Sequence, residues 1–387
     1  MRWGGRSEAV NLSLHPMHQA DFEPVYFAGE APPPPGQVQR VAEGLYWLRM
    51  PMPLALDHIN LWLLDNGPGW TIVDCGLTTD ATRAAWEQVF TDALGGKPVT
   101  RVICTHMHPD HIGLADWLCQ RWDVPLCMTQ GEYLSARLLA AGLPPTDTAS
   151  MLAHYRRHGA DPAHLQELAG RGNFYARMVP TVPLQYQRLV HGQVLRIGAD
   201  DWQVVEGGGH SPEHAALWCE ARGVLIAGDL LLPRISTNVS VFPIEPEADV
   251  LGRYLRALAR FALLPAGMRV LPSHGLPFIG AHARIRQLRE HHAERLQRVL
   301  RACEGQACTA AELVPVLFRR TLDVHQLGFA LGEAIAHAHR LWACQVLQRE
   351  VDAYGVIRFR FEANSRVAVD GVEGHDIARI AASAAGL

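Results

Sequence analysis

The run Thr105-His106-Met107-His108-Pro109-Asp110-His111 constrains this chain more than any other segment. It places three imidazoles and one carboxylate within six residues, directly after the apolar stretch Val99–Cys104, which reads as a buried strand ending in a loop. Imidazole nitrogen and carboxylate oxygen are the non-sulfur donors that Zn²⁺ takes. A strand end holds such groups on one rigid edge and leaves space above them for substrate. The alternative is a histidine-rich loop that binds nothing, and the rest of the chain argues against it. His210 follows the strand Trp202–Val205 inside Gly207-Gly208-Gly209-His210-Ser211-Pro212, where glycine permits a sharp turn and close approach. Asp229 closes the strand Val224–Ala227, and His274 closes the strand Arg269–Leu271. Taken singly, Asp229 or His274 reads as a cap or a surface residue. Taken together, the seven donors suffice for two metal ions. The glycine run is not read as a phosphate loop, because no Gly-Lys-Ser/Thr follows it.

A length of 387 residues with 48% apolar and 19% charged residues points to one large globular domain plus an appendage. The net charge of −4 gives no electrostatic case for nucleic acid or a membrane as main partner. Lys97 is the sole lysine, so the arginine excess reads as composition bias rather than an RNA-binding signature. The eight cysteines form no CxxC pair and read as free, mostly buried thiols in a reducing compartment. Residues 1–35 lack a signal-peptide core, and no run approaches the roughly 20 apolar residues of a membrane helix. A cytoplasmic protein without a membrane partner is the expectation.

Strands are expected at Val41–Met50, His58–Leu64, Trp70–Val73, Val99–Cys104 and Pro125–Thr129, with a helix at Thr79–Leu94 and another from Ile112 to Arg121. This alternation argues for an α/β fold with ligands on loops at strand ends. Residues 132–178 break into short helices and read as an insertion, a lid or a substrate wall. The sheet resumes at Val194–Ile197, Trp202–Val205, Ala215–Cys219, Val224–Ala227 and Arg269–Leu271. Ala281–Cys303 reads as a long amphipathic helix, Thr309–Phe318 and Gly328–Leu347 as further helices, and Val356–Phe361 as a strand. The expected organisation is a flexible lead-in over 1–36, a catalytic domain over 37–280, a small winged-helix-like domain over 281–362 and a loosely held tail over 363–387.

The His106-x-His108-x-Asp110-His111 signature, followed in order by His210, Asp229 and His274, resembles the metallo-β-lactamase fold superfamily over roughly residues 40 to 280. Asp74 with Gly76 is similar to the family's early Asp-x-Gly. The resemblance implies an αββα sandwich with metals at one edge. It implies one site of His106, His108 and His210, a second of Asp110, His111 and His274, and Asp229 bridging both. Asp74 and His214 would support the ligands without touching metal. The implied cofactors are two zinc ions, although the same donors accept manganese or iron. The implied chemistry is hydrolysis by a bridging hydroxide, with Asp110 and Asp229 as the carboxylates closest to the reaction.

His111 and the bridging Asp229 separate this chain from the β-lactamases of the fold, and His108 separates it from flavodiiron proteins, which carry glutamate there. The ligand set resembles the glyoxalase II-like hydrolases, which implies a small acyl thioester, ester or lactone substrate. The stretch 329–337 resembles the winged-helix-like tail of lactamase-like endoribonucleases. An RNA phosphodiesterase is therefore the second reading, a mononuclear-iron persulfide dioxygenase the third, and a metal-stabilised binding module without turnover the fourth. The tail alternatively serves packing or a homodimer, the reading favoured over RNA docking. Glu213 stands where the family often has glycine, and is expected at the pocket rim. Arg234, Ser236 and Asn238, a few residues after Asp229, are candidates for holding an anionic substrate group. Tyr155, Arg156, Arg157, His158 and Tyr175 in the insertion are candidates for a bulky acyl carrier, against a plain helix face. His58 and Asn60 are candidates for the site lining, against satisfied loop residues.

Overall fold

The computed structural model describes residues 23–361, apart from 30, 55, 171, 320, 321 and 323, and residues 377–385. Two seven-stranded sheets form its centre. The first runs β2 (Val38–Ala42), β3 (Leu45–Pro51), β4 (His58–Asp65), β5 (Trp70–Val73), β6 (Val99–Ile103), β7 (Leu126–Thr129), β8 (Tyr186–Leu189). It is antiparallel up to β5 and parallel from β5 to β8. The second runs β1 (Val25–Tyr26), β14 (Phe278–Ile279), β13 (Arg269–Pro272), β12 (Val224–Gly228), β11 (His214–Cys219), β10 (Asp200–Gly207), β9 (Val194–Ile197). Only β12 and β13 pair in parallel there.

Alternation along the strands builds the layers. In β4, Trp62 and Leu64 enter the space between the sheets, while Ile59, Leu61 and Leu63 face the outer helices. In β12, Val224 and Ile226 face inward and Leu225 and Ala227 outward. The helices α1 (Asp80–Asp92), α2 (Pro109–Ile112), α3 (Ala115–Trp122) and α4 (Gln130–Ala141) lie along the first sheet's half. Trp86, Val89, Leu118 and Ala136 pack there. The insertion continues as α5 (Thr148–Arg157), α6 (Pro162–Gly170) and α7 (Phe174–Met178). Over the second sheet lies α8 (Val250–Phe261), whose Leu251, Tyr254, Leu255, Leu258 and Phe261 recur every three or four residues on one buried face. The same core takes in α9 (Ala281–Cys303), α10 (Ala310–Leu317) and α11 (Val324–Ala343). A hairpin of β15 (Gln348–Val351) and β16 (Ile357–Arg360) follows. The fold is thus the expected α/β sandwich with a helical C-terminal domain.

Several local expectations change. Val41–Met50 is two strands, because Gly44 turns the chain with a φ of 65°. The polar strand β15 gives no alternation signal and was invisible in the sequence. Part of the expected lead-in is sheet edge: Val25 and Tyr26 pair with Ile279 and Phe278. Part of the expected loose tail is α12 (Ile377–Ala384), which packs against α9 and buries Ala381, Ala384 and Ala385. Small residues let the two helices approach, a cue that a reading based on polarity passes over. Seven of the eight cysteines are buried and all are free. No helix among the described residues is long and apolar enough to cross a membrane.

Candidate metal centre

Both sheets deliver side chains to one edge of the sandwich. The first supplies Asp74 after β5 and His106, His108, Asp110 and His111 after β6; the second supplies His210 after β10, Asp229 after β12 and His274 after β13. Gly228 makes the turn into Asp229 possible. Its φ is 54°, and a Cβ there would collide with His214 Nε2.

The seven donors converge as two clusters, His106 with His108, His210 and Asp229, and Asp110 with His111 and His274. Within the first, His106 Nε2 lies 2.9 Å from His108 Nδ1 and 3.2 Å from His210 Nε2. Within the second, His274 Nε2 lies 3.3 Å and His111 Nε2 3.7 Å from Asp110 Oδ2. Asp229 stands between them. Its Oδ2 is 3.2 Å from His210 Nε2, and its Oδ1 is 3.4 Å from His274 Nε2 and 3.6 Å from His111 Nε2.

Most of these imidazoles are anchored through the far nitrogen. His210 Nδ1 donates to Asn238 O at 2.7 Å, His274 Nδ1 to His58 O at 2.9 Å and His111 Nδ1 to Asp74 Oδ2 at 2.9 Å. His106 Nδ1 lies 3.0 Å from Thr105 Oγ1. Those bonds turn the Nε2 atoms into one centre, where those of His106 and His210 face each other and those of His111 and His274 face the carboxylates of Asp110 and Asp229; neutral imidazoles so placed repel unless a cation lies between them. His111 Nε2 and Asp229 Oδ1 are buried without hydrogen-bond partners. The donor chemistry and these orphaned atoms fit a pair of divalent cations.

The electrostatics agree. Burial, reinforced by neighbouring imidazoles, holds His106 well below its ordinary range and His108 at about 3. Around Asp229 the balance reverses. Burial opposes charge there, yet Asp229 and Asp110 push His274 up to about 10. Asp74, Asp110 and Asp229 likewise raise His111 against its burial. The carboxylates call for positive charge where the second cluster converges.

The supporting residues sort clearly. Asp74 Oδ1 accepts from Thr105 N at 2.8 Å while Oδ2 takes His111. His214 lies behind His106, ring to ring at 4.8 Å, and accepts Asp229 N–H at 3.2 Å. Asn60 is buried and donates to Pro272 O and Gly275 O, pinning the His274 turn, and His58 Nε2 accepts Gly275 N–H. Both therefore hold the loop from outside the donor clusters. Tyr175 donates to Met107 O at 2.5 Å, so it steadies the ligand loop.

Of the three anion-binding candidates, Asn238 is hydrogen-bonded to a histidine of the centre. Arg234 is exposed and engaged by Glu23 and Tyr26, and Ser236 is exposed. Asn238 offers its carbonyl to His210, and its side chain accepts from Ser240. Tyr155 and His158 are buried rather than on an open helix face, whereas Arg156 and Arg157 are exposed. Glu213 accepts Gly131 N–H at 2.7 Å, so it secures the start of α4. Sequence reasoning missed Glu132. This buried carboxylate accepts from Met107 N, Ser211 Oγ and Glu213 N, and burial pushes its pKa up to about 7. An acid near a helix start normally reads as a dipole partner; its three donors lie far off in sequence, so no local signal marks it.

Comparison with known proteins places this geometry. Residues 54–274 match the model of the metallo-beta-lactamase superfamily, and residues 296–362 match that of the metallo-beta-lactamase-like C-terminal domain. A beta-lactamase domain protein from Burkholderia ambifaria is 50% identical, with a TM-score of 0.82 covering 88% of this chain and 98% of that one. A metallo-beta-lactamase family protein from Thermus thermophilus is 27% identical, with a TM-score of 0.70 covering 84% of this chain and 100% of that one. YqjP of Bacillus subtilis, described as a probable metallo-hydrolase, is 23% identical across 76% of this chain and 91% of its own length. With its signature residues gathered at the sandwich edge and both of its segments matched, the chain belongs to the metallo-beta-lactamase superfamily.

Proposed function

We propose that this metal-dependent hydrolase holds two divalent cations and cleaves a small carboxylic thioester or ester, lactones included. His106, His108 and His210 would hold one cation, Asp110, His111 and His274 the other, and Asp229 would serve both. One observation carries the reading: the two oxygens of Asp229 face different imidazole clusters, Oδ2 toward His210 and Oδ1 toward His274. Zinc suits these donors, and manganese and iron accept them too. Bound in pairs, such cations supply Lewis acidity and bring the pKa of water toward 7.

The chain's own contribution is orientation and charge. Asp74, Asn238 O and His58 O each take the Nδ1–H of His111, His210 and His274, which orients the three rings with Nε2 facing the centre. The Asp110 side chain keeps 16% exposure, more than Asp229 at 10%, and is the carboxylate better placed to take a proton from the open side. Leu54 and Ile235 are exposed apolar side chains on the segments that precede His58 and follow Asp229, and exposed apolar residues there favour an acyl group over a polyanion.

A substrate panel of acyl thioesters, esters, lactones, phosphodiesters and single-stranded RNA, with metal analysis on the same preparation, tests the proposal. Two metals per chain with turnover of a thioester, ester or lactone is the expected result. RNA cleavage without acyl turnover, or one iron per chain with oxygen consumption, overturns it.

A further inference from the structure

Glu132 joins two loops that carry ligands. Its side chain is fully buried near the start of α4. Oε2 accepts from Met107 N at 2.9 Å; Oε1 accepts from Ser211 Oγ at 2.6 Å and from Glu213 N at 2.7 Å. Met107 lies between His106 and His108, and Ser211 follows His210. These three histidines are the imidazoles of the first cluster. All three partners of Glu132 are donors, so only a carboxylate meets them without opposing one donor with another. The second cluster is anchored elsewhere, through Asp74 on His111 and His58 O on His274.

We infer that Glu132 is a positioning residue that sets the distance between the His106–His108 loop and the His210 loop, and so governs the three-histidine cation site selectively. The inference rests on the two-cation reading above. Glu213 provides the contrast. Its backbone N–H is bound by Glu132, but its own carboxylate turns to Gly131 N at the start of α4. Loosening α4 alone is therefore separable from loosening the ligand loops.

The test uses full-length, metal-free protein titrated with Co²⁺, following visible absorption and metal content. Wild type takes up two ions per chain. Glu132→Gln keeps one tight ion and binds the other about 10–100-fold more weakly, the usual cost of losing a support to metal ligands. Ser211→Ala, which removes one of the three donors, weakens that same ion by a smaller factor, and Glu213→Gln, which keeps an acceptor for Gly131 N, retains both. Two equally tight ions in Glu132→Gln overturn the inference while sparing the two-cation reading, and so does a lower melting temperature with an unchanged Co²⁺ isotherm. One ion in wild type overturns the reading itself. Should Glu132→Gln fail to fold, Ser211→Ala decides, and an isotherm identical to wild type overturns the inference.

Discussion

His111 donates its Nδ1–H to Asp74 Oδ2 at 2.9 Å, and Asp74 makes that bond from a left-handed backbone with a φ of 65°. Aspartate tolerates this conformation better than most residues. The other oxygen of Asp74 takes Thr105 N–H at the end of β6, so one carboxylate fixes both the strand end and the ring that follows it. The bond also turns His111 so that Nε2, the atom left without a partner, faces into the centre.

Asp74→Asn therefore acts at a distance on the second cluster. Its NH₂ group must face either Thr105 N–H or His111 Nδ1–H, and both are donors. Metal affinity at the cluster of Asp110, His111 and His274 falls about 10–100-fold, while the three-histidine cluster keeps its ion. Metal content after dialysis at graded free Zn²⁺ checks this. Equal loss at both clusters would show that Asp74 supports the whole edge and not His111.

Asp229→Ala removes the one side chain shared by the two clusters. The buried imidazoles of His210, His111 and His274 lose their common carboxylate. On the proposed function, acyl hydrolysis drops by at least about 100-fold in kcat/KM, the upper end of what losing a mere support costs. Activity that survives with metal content unaltered removes Asp229 from the shared position.

The gathering of the seven candidate donors was legible because each strand end carries one, and because the His106–His111 run is dense enough to stand out alone. The long helix Ala281–Cys303 was legible from its apolar period, and its bounds agree. What escaped shares a physical cause. Glu132, Asn60 and Tyr175 act through partners 25, 212 and 68 residues away, and a local pattern holds no trace of such contacts. Arg234, read as an anion holder from its place near Asp229, pairs on the surface with Glu23, 211 residues away, a contact no local pattern predicts.

Gly228→Ala tests how rigidly the Asp229 turn is built. A left-handed backbone costs a residue with Cβ about 1–2 kcal/mol, and the new methyl group would also displace the buried ring of His214, which accepts Asp229 N–H. The variant loses at least about 2 kcal/mol of stability by urea denaturation and part of its metal. An unchanged midpoint with full metal content would mean that the turn yields.

Acid is expected to destabilise the fold through histidines outside the two donor clusters. His154 and His158 of α5 and its C-terminal end meet His339 of α11, with ring centroids 4.9 Å and 5.6 Å apart along the series. Burial holds His154 at about 4, His158 at about 2 and His339 at about 4. Arg157 and Arg349 lower these values further, while the carbonyls of Val241 and Ala248 and the carboxylate of Glu247 oppose the shift. Unfolded histidine titrates near about 6.5. Below that pH the unfolded chain binds protons that the folded chain refuses, so stability falls as pH drops from about 6.5 toward 4. Each such histidine contributes a slope of up to about 1.4 kcal/mol per pH unit. His158→Gln, neutral throughout, should lose roughly 2 kcal/mol less than wild type between pH 7 and pH 5. Urea denaturation of both proteins in metal-free form measures the difference, since the ligand histidines then titrate alike in each. Equal losses would place the acid sensitivity outside the junction of α5 and α11.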